Sequence, residues 1–198
     1  MLKRLLSWAL LGFTLICRCE ARAQAYVGPT QLGPYQIEKD FLVKTLFGVL
    51  GDPKIKNNRG VSCFQSGNEA YLWVSEMAHE SKFVGSILLS DFPNCVRGPV
   101  QVTSEALRAW KTKEGVGLGG TKKNVLSTYG KPSRDDFVKG VDYRWIVDGD
   151  YRDGHYSSKP MPERGEEVLV YIGADTLDTA EFGIRNGVVT WILLSENE

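Results

Sequence analysis

The chain is poor in the residue types that most metal centres and many active sites use. Its 198 residues include two histidines and four cysteines, and the formal net charge at pH 7 is zero. Two histidines and the absence of a CxxC pair exclude the usual zinc-binding patterns. The balanced charge lacks the basic excess typical of nucleic-acid binding. The sequence therefore predicts no metal, no cofactor and no nucleic-acid partner.

Long apolar runs are also scarce, and the one present lies at the N-terminus. Two basic residues precede the apolar stretch 5–16, and alanines at 21 and 23 suit a signal peptidase. The stretch is shorter than the ~20 residues of a membrane-spanning helix. The pattern predicts a signal peptide over 1–23 and a mature chain from Gln24, with cleavage after Ala25 as the alternative. We expect an exported protein, periplasmic or secreted, with no transmembrane segment after signal removal.

Removal of the signal would leave two cysteines, Cys63 and Cys95. An even number of cysteines in an oxidising compartment indicates a disulfide bond. The bond would close a loop of about 33 residues and stabilise the fold by about 3–4 kcal/mol in the chain-entropy description. We therefore predict a structural disulfide rather than a metal site.

The chain then repeats one pattern. An apolar helix ends in Leu-Gly-Asp-Pro at 50–53, and the strands after it finish on Ile-Leu-Leu-Ser at 87–90. A second helix ends in Tyr-Gly-Lys-Pro at 129–132, and its strands finish on the same four residues at 192–195. Such self-similarity indicates repeated structural units. The prediction is an α+β chain of two tandem units, 24–100 and 101–198, each a short helical segment packed on an antiparallel sheet.

Local signals set the expected elements. Asp40 can cap a first helix, Thr121 can cap a second that closes at Gly130, and Asn186-Gly187 is a strong hairpin turn. The last strand is apolar at nearly every position, so we expect it at the centre of a sheet. The segment 101–114 is compatible with a helix or an extended linker. The predicted helices and strands are 38–50, 61–65, 69–74, 82–90, 121–129, 141–147, 167–172, 180–185 and 188–195.

The second unit also resembles a known family. Gly-Leu-Gly-Gly-Thr at 117–121, Val125 and the 129–132 motif resemble the G-L-G-x-T…V…L-G-x-P opening of exported bacterial domains with the fold of β-lactamase inhibitor protein. The closing segment 182–192 is similar to the family's final F-x-x-x-x-G-x-V-x-x-I hairpin. The resemblance covers 112–198 and extends more weakly to 33–95. It implies a tandem pair with a concave sheet face and is silent on function, because the motif builds the scaffold.

The motifs that suggest a catalytic or cofactor site lack the surrounding residues that such a site needs. The glycines at 115–120 match GxGxxG, but a dinucleotide site needs a buried strand before them and a full helix after them. The acidic stretch 148–154 departs from calcium-loop spacing. Neither histidine, His79 or His155, lies in a recognisable catalytic frame. The sequence predicts a protein that is not an enzyme.

A long polar insertion, 149–165, provides a candidate binding surface with Tyr151, His155, Tyr156 and Met161. Aromatic residues and methionine are enriched at interface cores, and binding residues are often on loops. A flexible loop without function is the alternative. We expect an exported, non-enzymatic binding or interaction protein that acts through a sheet face or this loop, with another protein or an envelope component as partner. A structural or assembly accessory of the cell envelope and a hydrolase with an unrecognised site are the other hypotheses.

Overall fold

A computed structural model of the chain describes residues 28–37, 41–53, 61–67, 69–77, 80, 82–93, 100–137, 167–172 and 178–196. Within this part the chain forms two α-helices, one 3₁₀ turn and ten strands. In chain order they are β1 (Gln31–Leu32), β2 (Tyr35–Gln36), α1 (Val43–Leu50), β3 (Val61–Ser66), β4 (Ala70–Glu76), β5 (Val84–Ser90), β6 (Val100–Val102), the 3₁₀ turn (Leu107–Ala109), α2 (Lys122–Tyr129), β7 (Arg134–Phe137), β8 (Glu167–Ile172), β9 (Thr179–Arg185) and β10 (Val188–Ser195).

Eight of the strands form one sheet, in the order β6-β3-β4-β5-β10-β9-β8-β7. Neighbouring strands are antiparallel except β6 and β3, which are parallel. β1 and β2 form a separate antiparallel hairpin. The α+β prediction is confirmed at this level, and so is the central position of β10. β10 lies between β5 and β9, so this apolar strand has no exposed edge at which another chain could pair.

The helices cover one face of the sheet. Leu46 and Phe47 of α1 and Val125 and Tyr129 of α2 belong to one hydrophobic core, together with side chains from the strands. We call this side the helix face. The strand residues that point into it include Phe64, Leu72, Val74, Ile87, Leu89, Leu169, Tyr171, Phe182, Ile192 and Leu194. Alternate residues of the same strands point to the opposite side of the sheet, which we call the second face.

Both helices end as the sequence predicts, but only α2 begins so. Gly51 and Gly130 have φ angles of 96° and 74°, a conformation that glycine adopts without strain. The Oγ1 of Thr121 accepts a hydrogen bond from the backbone N of Asn124 at 3.1 Å. The prediction that the first helix spans 38–50 is wrong at its start: α1 begins at Val43.

The start of α1 is set by strand pairing. Leu42 forms an antiparallel bridge with Phe83, and the carbonyl of Phe41 accepts a hydrogen bond from the backbone N of Val84 at 2.9 Å. Extended backbone at 41–42 is incompatible with a helix there. Leu42 provides no side-chain cap, and the predicted cap Asp40 lies outside the described residues.

The two Ile-Leu-Leu-Ser segments lie side by side at the centre of the sheet. β5 pairs antiparallel with β10 in a register that sets Leu88 opposite Leu193, Ile87 opposite Leu194 and Leu89 opposite Ile192. Because equivalent residues of the two segments exchange places across the Leu88–Leu193 pair, that pair marks a local two-fold axis.

Backbone hydrogen bonds recur at equivalent positions on both sides of this axis. The N of Val43 donates to the carbonyl of Lys82 at 2.9 Å, and the N of Lys122 donates to that of Gly187 at 2.8 Å. Leu42 and Thr121, which precede the helices, form equivalent bridges: Leu42 pairs with Phe83, just before β5, and Thr121 pairs with Val188, the first residue of β10. The entry into each helix is therefore held in the same way.

Several elements differ from the sequence prediction. β7 was not predicted, because its sequence, Arg-Asp-Asp-Phe, has the composition of an exposed turn. The segment 101–114, for which the sequence left a helix or an extended linker open, contains the end of β6 and a 3₁₀ turn. The β1–β2 hairpin was also not predicted, and the strand predicted at 141–147 lies outside the described residues.

Candidate binding face

A β-bulge near the start of β10 brings Trp191 onto the second face. The register between β10 and β9 shifts between Val189 and Trp191, which leaves Thr190 as the extra residue. In a regular strand Val189 and Trp191 would share a face. Here Val189 packs in the core of the helix face and Trp191 packs in a separate cluster on the second face.

Gly183 of β9 lies directly beneath the indole of Trp191. The two residues are paired in register, and a methyl group added at Gly183 would overlap the indole ring. The absent side chain lets the ring lie flat over β9. This close approach explains a glycine in the interior of a strand, where glycine otherwise weakens the sheet.

The floor of the second face is apolar. Trp73, Leu88 and Leu193 lie in one cross-strand row over β4, β5 and β10. They form a cluster with Val61, Val168, Val170 and Trp191. The two tryptophans are 1% and 0% exposed, so the floor is buried in the whole chain. Among the described residues, Phe92 is the one partly buried hydrophobic residue that packs on this cluster.

Three side chains border this floor and remain partly exposed: Tyr71, Phe92 and Arg185. Tyr71 and Trp191 are both in register with Ser90, from opposite sides. The Oγ of Ser90 donates a hydrogen bond to the carbonyl of Phe92 at 2.7 Å, which fixes the chain as it leaves β5. We call these three residues the aromatic rim.

The rim combines two aromatic rings with a guanidinium group. The guanidinium carbon of Arg185 lies 5.9 Å from the centre of the Phe92 ring, within the range of a cation–π interaction. Tyr and Arg are among the residue types that contribute most to binding energy at protein interfaces. The partly exposed side chains of the rim, and not the buried floor, are therefore the groups of this face that a partner could contact.

The floor also contains a carboxyl group. Glu181 is opposite both Leu193 and Val170 in register and is 4% exposed. A buried carboxyl group needs hydrogen-bond partners. Polar groups must therefore lie close to Glu181, beside the apolar side chain of Leu193. Within the residues that the structure describes, no group of three or more His, Cys, Asp and Glu side chains is placed to hold a metal ion.

The structure does not describe the residues that the sequence singled out for binding. Tyr151, His155, Tyr156 and Met161 lie outside the described residues, as do Cys95, His79 and the stretch 148–154. Cys63 lies in β3 opposite Trp73, is 7% exposed and is disulfide-bonded. Since residue 95 is not described, the identity of its partner stays a prediction.

The aromatic rim could not be predicted from the sequence, because its three residues come from separate parts of the chain. The alternation of Tyr71, Trp73 and Ser75 along β4 is a usable signal, since it places two aromatic rings on one face of a strand. The bulge that turns Trp191 to the same face leaves no comparable signal, and Phe92 follows the end of β5.

In the described part of the chain, neither helix has the length and apolar character needed to cross a membrane. Comparison with protein-family models, with curated proteins and with solved structures found no match. The resemblance to β-lactamase inhibitor protein-like domains therefore rests on the sequence motifs alone.

Proposed function

We propose that this chain is an exported, non-enzymatic binding protein that recognises another protein or an envelope component through the second face of its sheet. The observation that carries the proposal is the aromatic rim, Tyr71, Phe92 and Arg185, beside the buried indole of Trp191. The loop 149–165 is the alternative surface of the same function, with Tyr151 and Tyr156 as its anchors.

The composition of the second face supports this proposal. The fold buries the tryptophans of the second face, but it leaves Tyr71, Phe92 and Arg185 beside them partly exposed. Rigid aromatic side chains cover a large area and lose little conformational entropy on binding. Tyr and Arg side chains that lose their remaining exposure on binding are among those that contribute most to affinity.

We further propose that the fold is a tandem pair of β-lactamase inhibitor protein-like units. The motif at 117–132 and the closing hairpin support this assignment from the sequence. The pairing of β5 with β10 about Leu88 and Leu193, and the equivalent hydrogen bonds at the starts of α1 and α2, support two related units.

The test compares two double variants of the mature protein in affinity capture from envelope extracts. Tyr71→Ala with Phe92→Ala removes the aromatic rim, and Tyr151→Ala with Tyr156→Ala removes the loop anchors. We expect the rim variant to retain about a tenth or less of the specifically captured partner while the loop variant retains most of it. Thermal unfolding measured on both variants separates a binding defect from a folding defect.

Val49→Ala provides the control, because Val49 is exposed (42%) and lies on α1, on the opposite side of the sheet from the rim. This control variant should capture the partner as well as the unmodified protein. Loss of capture in the loop variant alone would move the site to 149–165. Undiminished capture by both folded variants would contradict a binding role for either surface.

A further inference from the structure

A groove runs along the outer side of α1, away from the second face. It has a volume of about 660 Å³ and is lined by Leu42, Val43, Lys44, Phe47, Gly48, Asp52 and Lys82. Pockets that bind small molecules have volumes of about 300–1,000 Å³ and largely apolar walls with a few polar groups. The size and the composition of this groove both fall within that description.

Gly48 leaves the middle of the groove open. It lies on the exposed side of α1, and a methyl group added there would meet no atom within 4 Å. A glycine in a helix interior is unfavourable by about 1 kcal/mol relative to alanine. The apolar side chains of Val43 and Phe47 line the same space. The open middle of the groove is therefore apolar.

The charges of the groove are separated along its length. Lys44 and Lys82 lie near the start of α1, where the backbone N of Val43 bonds the carbonyl of Lys82, and Asp52 lies just beyond its end. Lys82 also contacts the exposed carboxylate of Glu80 at 3.2 Å and lies 4.6 Å from the centre of the Phe83 ring. An exposed pair of this kind is weak, so the lysine stays available to an anion.

The second helix has a different surface at the same place. Lys122 and Lys123 of α2 stand where Val43 and Lys44 stand in α1, and Lys122 forms an ion pair with Glu167 of β8. The apolar groove is therefore specific to α1 and does not follow from helix packing on this sheet alone.

From this polarity we infer that the α1 groove binds an amphiphilic anion, an alkyl carboxylate whose head group lies at Lys44 and Lys82 and whose chain lies over Gly48 and Phe47. Asp52 limits the chain length, because a longer chain would place apolar carbon against its carboxylate. This inference is independent of the aromatic rim and of the partner proposed above.

The test measures binding of decanoate to the mature protein by isothermal titration calorimetry. We expect saturable binding of one decanoate per chain and binding of decyltrimethylammonium, which has the same chain and the opposite charge, at least about tenfold weaker. Lys44→Ala with Lys82→Ala should weaken decanoate binding about fivefold. Absence of saturable decanoate binding, or equal binding of the two head groups, would overturn the inference.

Gly48→Leu and Thr45→Leu form a matched pair, because both place a leucine on the exposed side of α1 and only residue 48 lines the groove. Leucine is a better helix former than either residue it replaces, so both variants should fold. We expect Gly48→Leu to weaken decanoate binding by about tenfold or more and Thr45→Leu to leave it unchanged. A folded Gly48→Leu protein that binds decanoate normally would refute the assignment.

Discussion

Gly183 is the residue on which the position of Trp191 depends. Replacement of Gly183 by alanine would place a methyl group inside the indole ring, so either the ring or β9 must move. We expect Gly183→Ala to lower the free energy of unfolding by about 1–3 kcal/mol, the usual range for overpacking. Urea denaturation followed by tryptophan fluorescence measures this change.

Gly48→Ala is the matched control for Gly183→Ala, because it adds the same methyl group at a glycine with open space around it. Alanine is also the better helix former, so this variant should be as stable as the unmodified protein or slightly more stable. Equal stability of the Gly183→Ala and Gly48→Ala proteins would show that Trp191 does not pack against Gly183.

Tyr35 is a fully buried tyrosine whose ionisation the fold opposes. Burial raises the pKa of Tyr35 well above its usual range, and the carboxylates of Glu196 and Asp178 raise it further. In the unfolded chain a tyrosine loses its proton near pH 10, whereas in the folded protein Tyr35 keeps it. The unfolded state therefore binds fewer protons above that pH, and stability falls as pH rises.

The expected slope for Tyr35 is up to about 1.4 kcal/mol of unfolding free energy per pH unit above about pH 10. Tyr35→Phe removes this contribution and also the hydrogen bond that the hydroxyl donates to the carbonyl of Val84 at 3.5 Å. Denaturation of both proteins between pH 8 and 11 should show a difference that shrinks as pH rises above about 10. A constant difference would contradict the burial of this hydroxyl.

At the scale of the element, α2 depends on its cap more than α1 does. Thr121 holds the first turn of α2 through the backbone N of Asn124, whereas Leu42, at the same position before α1, provides no side-chain cap, and α1 is held by its apolar face. Thr121→Ala should therefore lower the free energy of unfolding by about 1 kcal/mol.

Thr121→Ser keeps the hydroxyl that accepts this hydrogen bond and provides the control. We expect chemical denaturation to place it within a few tenths of a kcal/mol of the unmodified protein. If the serine and alanine variants are equally destabilised, the loss reflects the missing methyl group of threonine and not the cap.

The elements also show where sequence patterns are sufficient. Features that depend on neighbouring residues could be predicted. They are the helix ends at Gly51 and Gly130, the cap at Thr121 and the turn at Asn186 and Gly187. The start of α1 could not, because Phe41 and Leu42 have the apolar pattern of a helix and are held extended by strand residues about forty positions away. β7 lacks an alternation of apolar and polar residues, so its register with β8 cannot be predicted from its own sequence.

At the scale of the whole molecule, the predicted disulfide links β3 to the chain after β5. Cys63 lies in β3 next to β6, and its register partner there is Val100, which follows residue 95 by a few positions. We expect thiol titration of the denatured, unreduced mature protein to find no free thiol and peptide mapping to find Cys63 joined to Cys95.

Reduction of this bond should lower the free energy of unfolding by about 3–4 kcal/mol in the chain-entropy description. Cys63→Ala with Cys95→Ala should show the same stability in oxidised and reduced samples, which separates the bond from other effects of the reductant. Two free thiols in the unreduced protein, or Cys63 mapped to another cysteine, would contradict the pairing.

The sheet brings together parts of the molecule that the sequence keeps apart. The repeated Ile-Leu-Leu-Ser segments are visible in the sequence, but their direct pairing about Leu88 and Leu193 depends on the register of β5 and β10. The candidate site also depends on the sheet. Tyr71, Phe92 and Arg185 lie on the same face only because β4, β5 and β9 are strands of one sheet. Neither the α1 groove nor the aromatic rim lies in the loop that the sequence favoured.

The α+β class, the helix ends, the β9–β10 turn and the central position of β10 can all be predicted from the sequence. Each of these follows from local conformational preference or from the need to bury an apolar run. The face of the sheet to which each apolar side chain points depends on the tertiary structure. Bulges, register and strand order make that choice, and the bulge at Thr190 is the clearest case, since it turns Val189 and Trp191 to opposite faces of one strand. The physical reason is that a side chain's face changes with every one-residue shift in pairing, and pairing energies are shared among strands distant in sequence.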